Sequence, residues 1–78
     1  MKRFVVIGGC YHAFPNDEEA KKLIEEGIED IYTFNHIAGS SDNYREAYEL
    51  CEKQINYHFE SGVCIYDRQR KAIICTLF

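Results

Sequence analysis

Val63-Cys64-Ile65-Tyr66-Asp67-Arg68-Gln69-Arg70-Lys71-Ala72-Ile73-Ile74-Cys75-Thr76-Leu77-Phe78 reads as a β-hairpin, two strands joined by a short basic link. A strand with one face in water alternates apolar and polar residues. Ala72 to Phe78 hardly alternates, so both of its faces are expected to be covered. An even-length link centred between Gln69 and Arg70 sets Cys64 opposite Cys75 and Tyr66 opposite Ile73, with Ile65 against Ile74 and Val63 against Thr76 on the other face. Opposed cysteines fall within disulfide reach, but they are read as reduced packing residues.

Upstream of the hairpin, Tyr44, Tyr48, Cys51, Ile55 and Phe59 recur at helical spacing, widened by Ala47, Leu50 and Tyr57. This predicts a helix that opens after the turn Ala38-Gly39-Ser40-Ser41-Asp42-Asn43 and runs to about Glu60, before Gly62. A shorter helix starts at Pro15-Asn16, where Glu19 completes a capping box, and Ala20, Leu23 and Ile24 form its buried stripe before Gly27. Asp30 to Ala38 alternates, with Ile31, Thr33, Asn35 and Ile37 on one side and Tyr32, Phe34, His36 and Ala38 on the other, and is read as a strand. Lys2 to Gly8 is a buried strand ended by two glycines.

The order β-α-β-α-β-β predicts a single small α+β domain over residues 1–78: a mixed four-stranded sheet with two helices and a C-terminal hairpin. Each strand-helix-strand crossover is expected to leave its strands parallel. The exits of the first three strands then share one edge. If the first strand lies between the second and third, the helices cover opposite faces; in sequence order they share a face. A chain of this length offers little for three layers, so a two-layer sandwich is expected, its open face covered in a homodimer.

Thirteen acidic residues against nine basic ones give a net charge of −4, which argues against nucleic acid as a partner. The signs are segregated. Seven carboxylates lie between Asp17 and Asp30, whereas Arg68, Arg70 and Lys71 cluster in the hairpin link. Phe4 to Ile7 is too short for a membrane span or a secretory signal, and the chain is expected in the cytoplasm with reduced cysteines. Size alone admits a phage origin.

The shared strand edge is the candidate ligand site. Gly8, Gly9, Cys10 and His12 follow the first strand, Ser40 and Ser41 precede the long helix, and Arg68, Arg70 and Lys71 would supply cations for a small anionic ligand, a phosphate or nucleotide. Neither phosphate-loop spacing is present. Cys10 with His12 or His36 lacks a third orienting group, and the histidines and cysteines lack ligand spacing, so no catalytic set, metal or cofactor is expected. His58 would favour the dipole at the end of the long helix. Six tyrosines and five phenylalanines suit a protein contact surface. Tyr11, Phe14, Tyr57, Ile73, Cys75, Leu77 and Phe78 are its expected anchors. The reading is a non-enzymatic interaction or regulatory protein, an inhibitor of a larger complex, with small-anion binding as the alternative.

Overall fold

Two five-residue strands, β1 (Phe4–Gly8) and β3 (Val63–Asp67), are buried at every position and form the centre of a four-stranded sheet. The computed structural model describes residues 1–10, 13–58 and 61–78, the side chain of His58 excepted. β2 (His36–Ser41) flanks β1, β4 (Ala72–Leu77) flanks β3, and the order is β2-β1-β3-β4. The helices are α1 (Asp17–Glu26) and α2 (Tyr44–His58). The α+β class, the element order and the C-terminal hairpin are as expected, and Phe59 lies outside the described residues.

Local chemistry accounts for α1. The Asn16 side chain accepts the Glu19 N–H at 2.8 Å, and the Glu19 carboxylate accepts the Asn16 N–H at 3.0 Å. Gly27, at φ 64°, ends the helix in the left-handed conformation that glycine adopts without strain. Ala20 and Leu23 then bury against Val5, Ile7, Cys64 and Tyr66. On α2, Ala47 and Cys51 bury against Phe4, Val6, Val63 and Ile65. Neighbouring strand residues therefore point to different helices, as the pleat requires.

The helices thus cover opposite faces, and the structure corrects the two-layer expectation to three. The correction follows from β1 and β3 themselves, which are apolar on both faces. Among the described residues each sheet face has a helix against it, so the wholly open face expected to call for a homodimer is not found.

Every neighbouring strand pair is antiparallel, which corrects the mixed sheet. Ten residues of helix span only about 15 Å, and α1 uses them to cross the strands: its Asp17 carboxylate takes the Ile73 N–H, and the Ile28 carbonyl just beyond it takes the Ile37 N–H. The chain consequently re-enters the sheet at the end where β1 left it. α2 does return the chain to the opposite end, so β2 and β3 run the same way, with β1 inserted between them.

Both outer strands carry a bulge. Ala38 is the extra residue in β2, where Val6 faces Gly39 and Ile7 faces Ile37, and Ile74 is the extra residue in β4, where Ile65 faces Cys75 and Tyr66 faces Ile73. The second bulge moves the register by one, so Cys64 faces Thr76 instead of Cys75, correcting that pairing. β4 is half-buried: Ile73 packs toward the α1 side, and Ile74, Cys75 and Leu77 pack toward the α2 side. Its outer side has no strand neighbour among the described residues, but Asp17 accepts the Ile73 N–H at 2.9 Å and the bulge breaks the ladder. Both devices discourage strand addition from another chain.

Among the described residues no disulfide forms, and Cys10, Cys51 and Cys64 are buried. Burial pushes the Cys51 thiol up to about 12, and a hydrogen bond with Cys10, together with burial, raises that of Cys64. Under native conditions at pH 8, iodoacetamide is expected to modify half-buried Cys75 first and the other three only after denaturant is added, as peptide mass mapping would show.

No helix among the described residues is long and apolar enough to cross a membrane.

Candidate functional site

The antiparallel register gives the sheet two chemically different ends. At one, Gly8 faces His36, Ile7 faces Cys64 and Val63 faces Leu77, so β1 and β4 finish where β2 and β3 begin. At the other, Phe4 faces both Ser41 and Asp67. A five-residue strand separates the ends by about 15 Å.

The expected ligand site is therefore divided. Ser40, Ser41, Arg68, Arg70 and Lys71 share the Phe4 end, whereas Gly8, Gly9 and Cys10 lie at the other, and His12 and Tyr11 lie outside the described residues. The cause is the reversed β1–β2 connection, which puts the exit of β1 opposite the exits of β2 and β3. Ser41 is also committed elsewhere: its hydroxyl donates to Glu46 at 2.7 Å and accepts the Asn43 N–H at 3.0 Å, which fixes the entry to α2. Cys10 is buried, its Sγ 3.8 Å from the Ile7 carbonyl.

Asp67 organises the Phe4 end. Its buried carboxylate accepts two parallel bonds from Arg3, Nε to Oδ1 and Nη2 to Oδ2, both at 3.0 Å, while Oδ1 also takes the Gln69 N–H at 2.9 Å. The Arg3 guanidinium lies 4.7 Å from the centre of the Phe4 ring, and the Arg3 N–H donates to Asp42. Arg3 is thus consumed in tying β1 to the hairpin. The Arg3 hydrogen bonds, reinforced by Gln69, hold the Asp67 carboxyl at about 2, against an ordinary 3.8.

A depressed carboxylate stabilises the fold at pH values above its unfolded titration, and that contribution disappears as pH falls through the folded value. The urea midpoint is therefore expected to drop between about pH 4 and pH 2, with a shallower drop in Asp67→Asn. Equal slopes in the two proteins would remove Asp67 from the account.

The opposite end presents aromatic side chains. Asp30 to Asn35, expected as strand, is instead a hydrogen-bonded loop: the Asp30 carboxylate takes the Tyr32 N–H at 2.9 Å, and the Asp30 carbonyl takes both the Thr33 N–H at 3.0 Å and the Thr33 hydroxyl at 2.6 Å. Gly9 seats this loop. At φ 75° it lets the Phe34 carbonyl approach so closely that a Cβ on Gly9 would stand 1.6 Å from that oxygen. The loop therefore has a fixed base while Ile31 is 70%, Tyr32 92% and Phe34 74% exposed.

Tyr57, near the C-terminus of α2, and Phe78, just beyond β4, are exposed at the same end of the sheet. Half-buried Phe14 meets Phe78 edge to face, with ring centres 5.0 Å apart. No known family, curated protein or solved structure matches this chain. The arrangement of its own residues must carry the functional argument.

Of the expected contact residues, Phe14 and Phe78 meet at this end and Tyr57 is exposed there, whereas Ile73, Cys75 and Leu77 pack partly buried against the core. The exposure of Ile31, Tyr32 and Phe34 is hidden in the sequence by their strand-like alternation. Asp30, Thr33 and Asn35 within six positions are the turn formers that mark the loop in the sequence.

Proposed function

We propose that the protein is a small, non-enzymatic interaction module of the cytoplasm, a regulator or inhibitor of a larger complex, and that it binds its protein partner through the aromatic end of the sheet. The carrying observation is a cluster of exposed Ile31, Tyr32 and Phe34 on a loop whose backbone is already fixed. Rigid exposed aromatics fill partner pockets at little cost in conformational entropy, and contiguous apolar exposure of this kind marks contact sites.

Glu26, Glu29 and Asp30 flank the loop and are exposed, so the complementary partner has apolar pockets rimmed by lysine or arginine.

A photoreactive phenylalanine analogue tests the site. Placed at position 32 or 34, it is expected to crosslink one protein in cell extract; placed at the exposed position 76 on β4, it is expected to leave that protein uncrosslinked. Crosslinking from position 76 alone would move the contact surface to β4.

The outer side of β4, where a homodimer was expected to pair, is guarded by Asp17 and the Ile74 bulge. The isolated chain is therefore expected to scatter light as a 9.1 kDa monomer. A dimer at high micromolar concentration would show that a sheet edge or the aromatic end pairs two copies.

A further inference from the structure

Between α1 and the β3–β4 link lies a cleft of about 260 Å³, walled by Lys21, Ile24 and Glu25 on the helix and by Tyr66, Arg68 and Lys71 on the hairpin. It is separate from the aromatic end and from the Arg3–Asp67 pair. Lys21 and Glu25 stand one turn apart and so share a helix face, with Ile24 beside them. Three cations, Lys21, Arg68 and Lys71, line the cleft with one carboxylate, Glu25, while Asp17 and Glu18 stand near enough to act on Tyr66.

Tyr66 is the buried polar wall. It is only 3% exposed, and its ring belongs to the core on the α1 side. Its hydroxyl makes no side-chain hydrogen bond among the described residues, yet it is not sealed from solvent as Asn35 Oδ1 is. It therefore opens into the cleft it lines. Burial, with the carboxylates of Asp17, Glu18 and Glu25 nearby, raises its pKa, so at neutral pH the group is a proton donor.

The surrounding frame is fixed. The Arg68 side chain donates to the Met1 and Lys2 carbonyls, its N–H donates to the Arg3 carbonyl at 2.9 Å, and the Lys71 N–H donates to the Asp67 carbonyl at 2.7 Å. A core-locked phenol with an unpartnered hydroxyl lies beside the anchored Arg68 side chain, with the exposed Lys21 and Lys71 ammonium groups at the rim, and together they form a hydrogen-bond donor set for an anion.

We infer that this cleft binds a small organic anion, a carboxylate or phosphate carried on a flat apolar body. The anionic group sits among Lys21, Arg68 and Lys71 and accepts the Tyr66 hydroxyl proton in a hydrogen bond, while the body lies against Ile24 and the Tyr66 ring. Glu25 rejects ligands with a second anionic group at the far side. The cleft is slightly smaller than the roughly 300 to 1,000 Å³ of drug-sized sites, so the ligand is fragment-sized.

The test is amide NMR titration of the full chain with phenyl phosphate and, separately, benzoate, with inorganic phosphate and benzyl alcohol as controls at constant ionic strength. One or both aromatic anions are expected to give saturable shifts confined to residues 21–25 and 66–71, and the tighter of the two identifies the preferred head group. Lys21→Gln with Lys71→Gln is expected to weaken binding about tenfold and Tyr66→Phe about threefold, while Arg70→Gln, outside the cleft, leaves it unchanged. The glutamine changes are at exposed positions and spare the fold even if Tyr66→Phe does not. Absence of saturation by either aromatic anion, equal binding of inorganic phosphate, or indifference to the lysine changes would overturn the inference.

Discussion

Gly9→Ala is expected to cost about 3 kcal/mol or more, lowering Tm by more than about 12 °C in a domain of this size. Two effects combine. A left-handed backbone is strained by about 1 kcal/mol for alanine, and the new methyl group would stand 1.6 Å from the Phe34 carbonyl oxygen, a backbone atom that cannot rotate away. Gly27→Ala isolates the first effect, because Gly27 has φ 64° with nothing near its Cβ position. Its expected cost is about 1 kcal/mol. Thermal melts of the two variants measure the difference, which is the value of seating the aromatic loop on β1. Equal costs would mean that the loop does not lean on Gly9.

Tyr32→Ala with Phe34→Ala is expected to do the reverse, leaving stability within about 0.5 kcal/mol while weakening the partner complex by about a thousandfold. Both side chains stand in water in the free protein, so truncation removes little packing. If they are the anchors, each fills a pocket on the partner and is worth about 2 kcal/mol there. A melt establishes the first half and a binding isotherm the second. Complex formation unaffected by the double change would assign these aromatics no role. Raised salt is expected to weaken the complex further, since the acidic rim at Glu26, Glu29 and Asp30 would face cations.

The elements most legible in the sequence were those specified by local chemistry. Asn16 with Glu19 and Gly27 mark both ends of α1 because each residue satisfies orphan backbone groups within a few positions. The apolar spacing of α2 places Ala47 and Cys51 on its buried face for the same local reason. Strand direction was not legible, because it depends on how α1 lies across the sheet, and an amphipathic pattern records which face is buried without recording the crossing angle.

The bulges at Ala38 and Ile74 escaped notice because neither carries a glycine or other marker at the extra residue, and one of them undid the Cys64–Cys75 pairing. Ile31, Tyr32 and Phe34 imitate a strand for a different reason. β-branched and aromatic residues in alternation satisfy the strand pattern, whereas the Asp30 carboxylate captures the Tyr32 N–H and turns the chain before it can pair. At the cationic end, Arg68 and Lys71 were legible as a cluster, but Lys21 and Tyr66 join them only through the fold.

The most direct test of the aromatic end as the contact surface is a quantitative capture from cell extract with three folded proteins: the native chain, the Tyr32→Ala/Phe34→Ala variant, and a variant with Arg68, Arg70 and Lys71 neutralised. The protein crosslinked from position 32 is expected to be retained by the first and third and lost by the second. Its retention by the aromatic variant, or its loss on neutralising the link alone, would contradict the account.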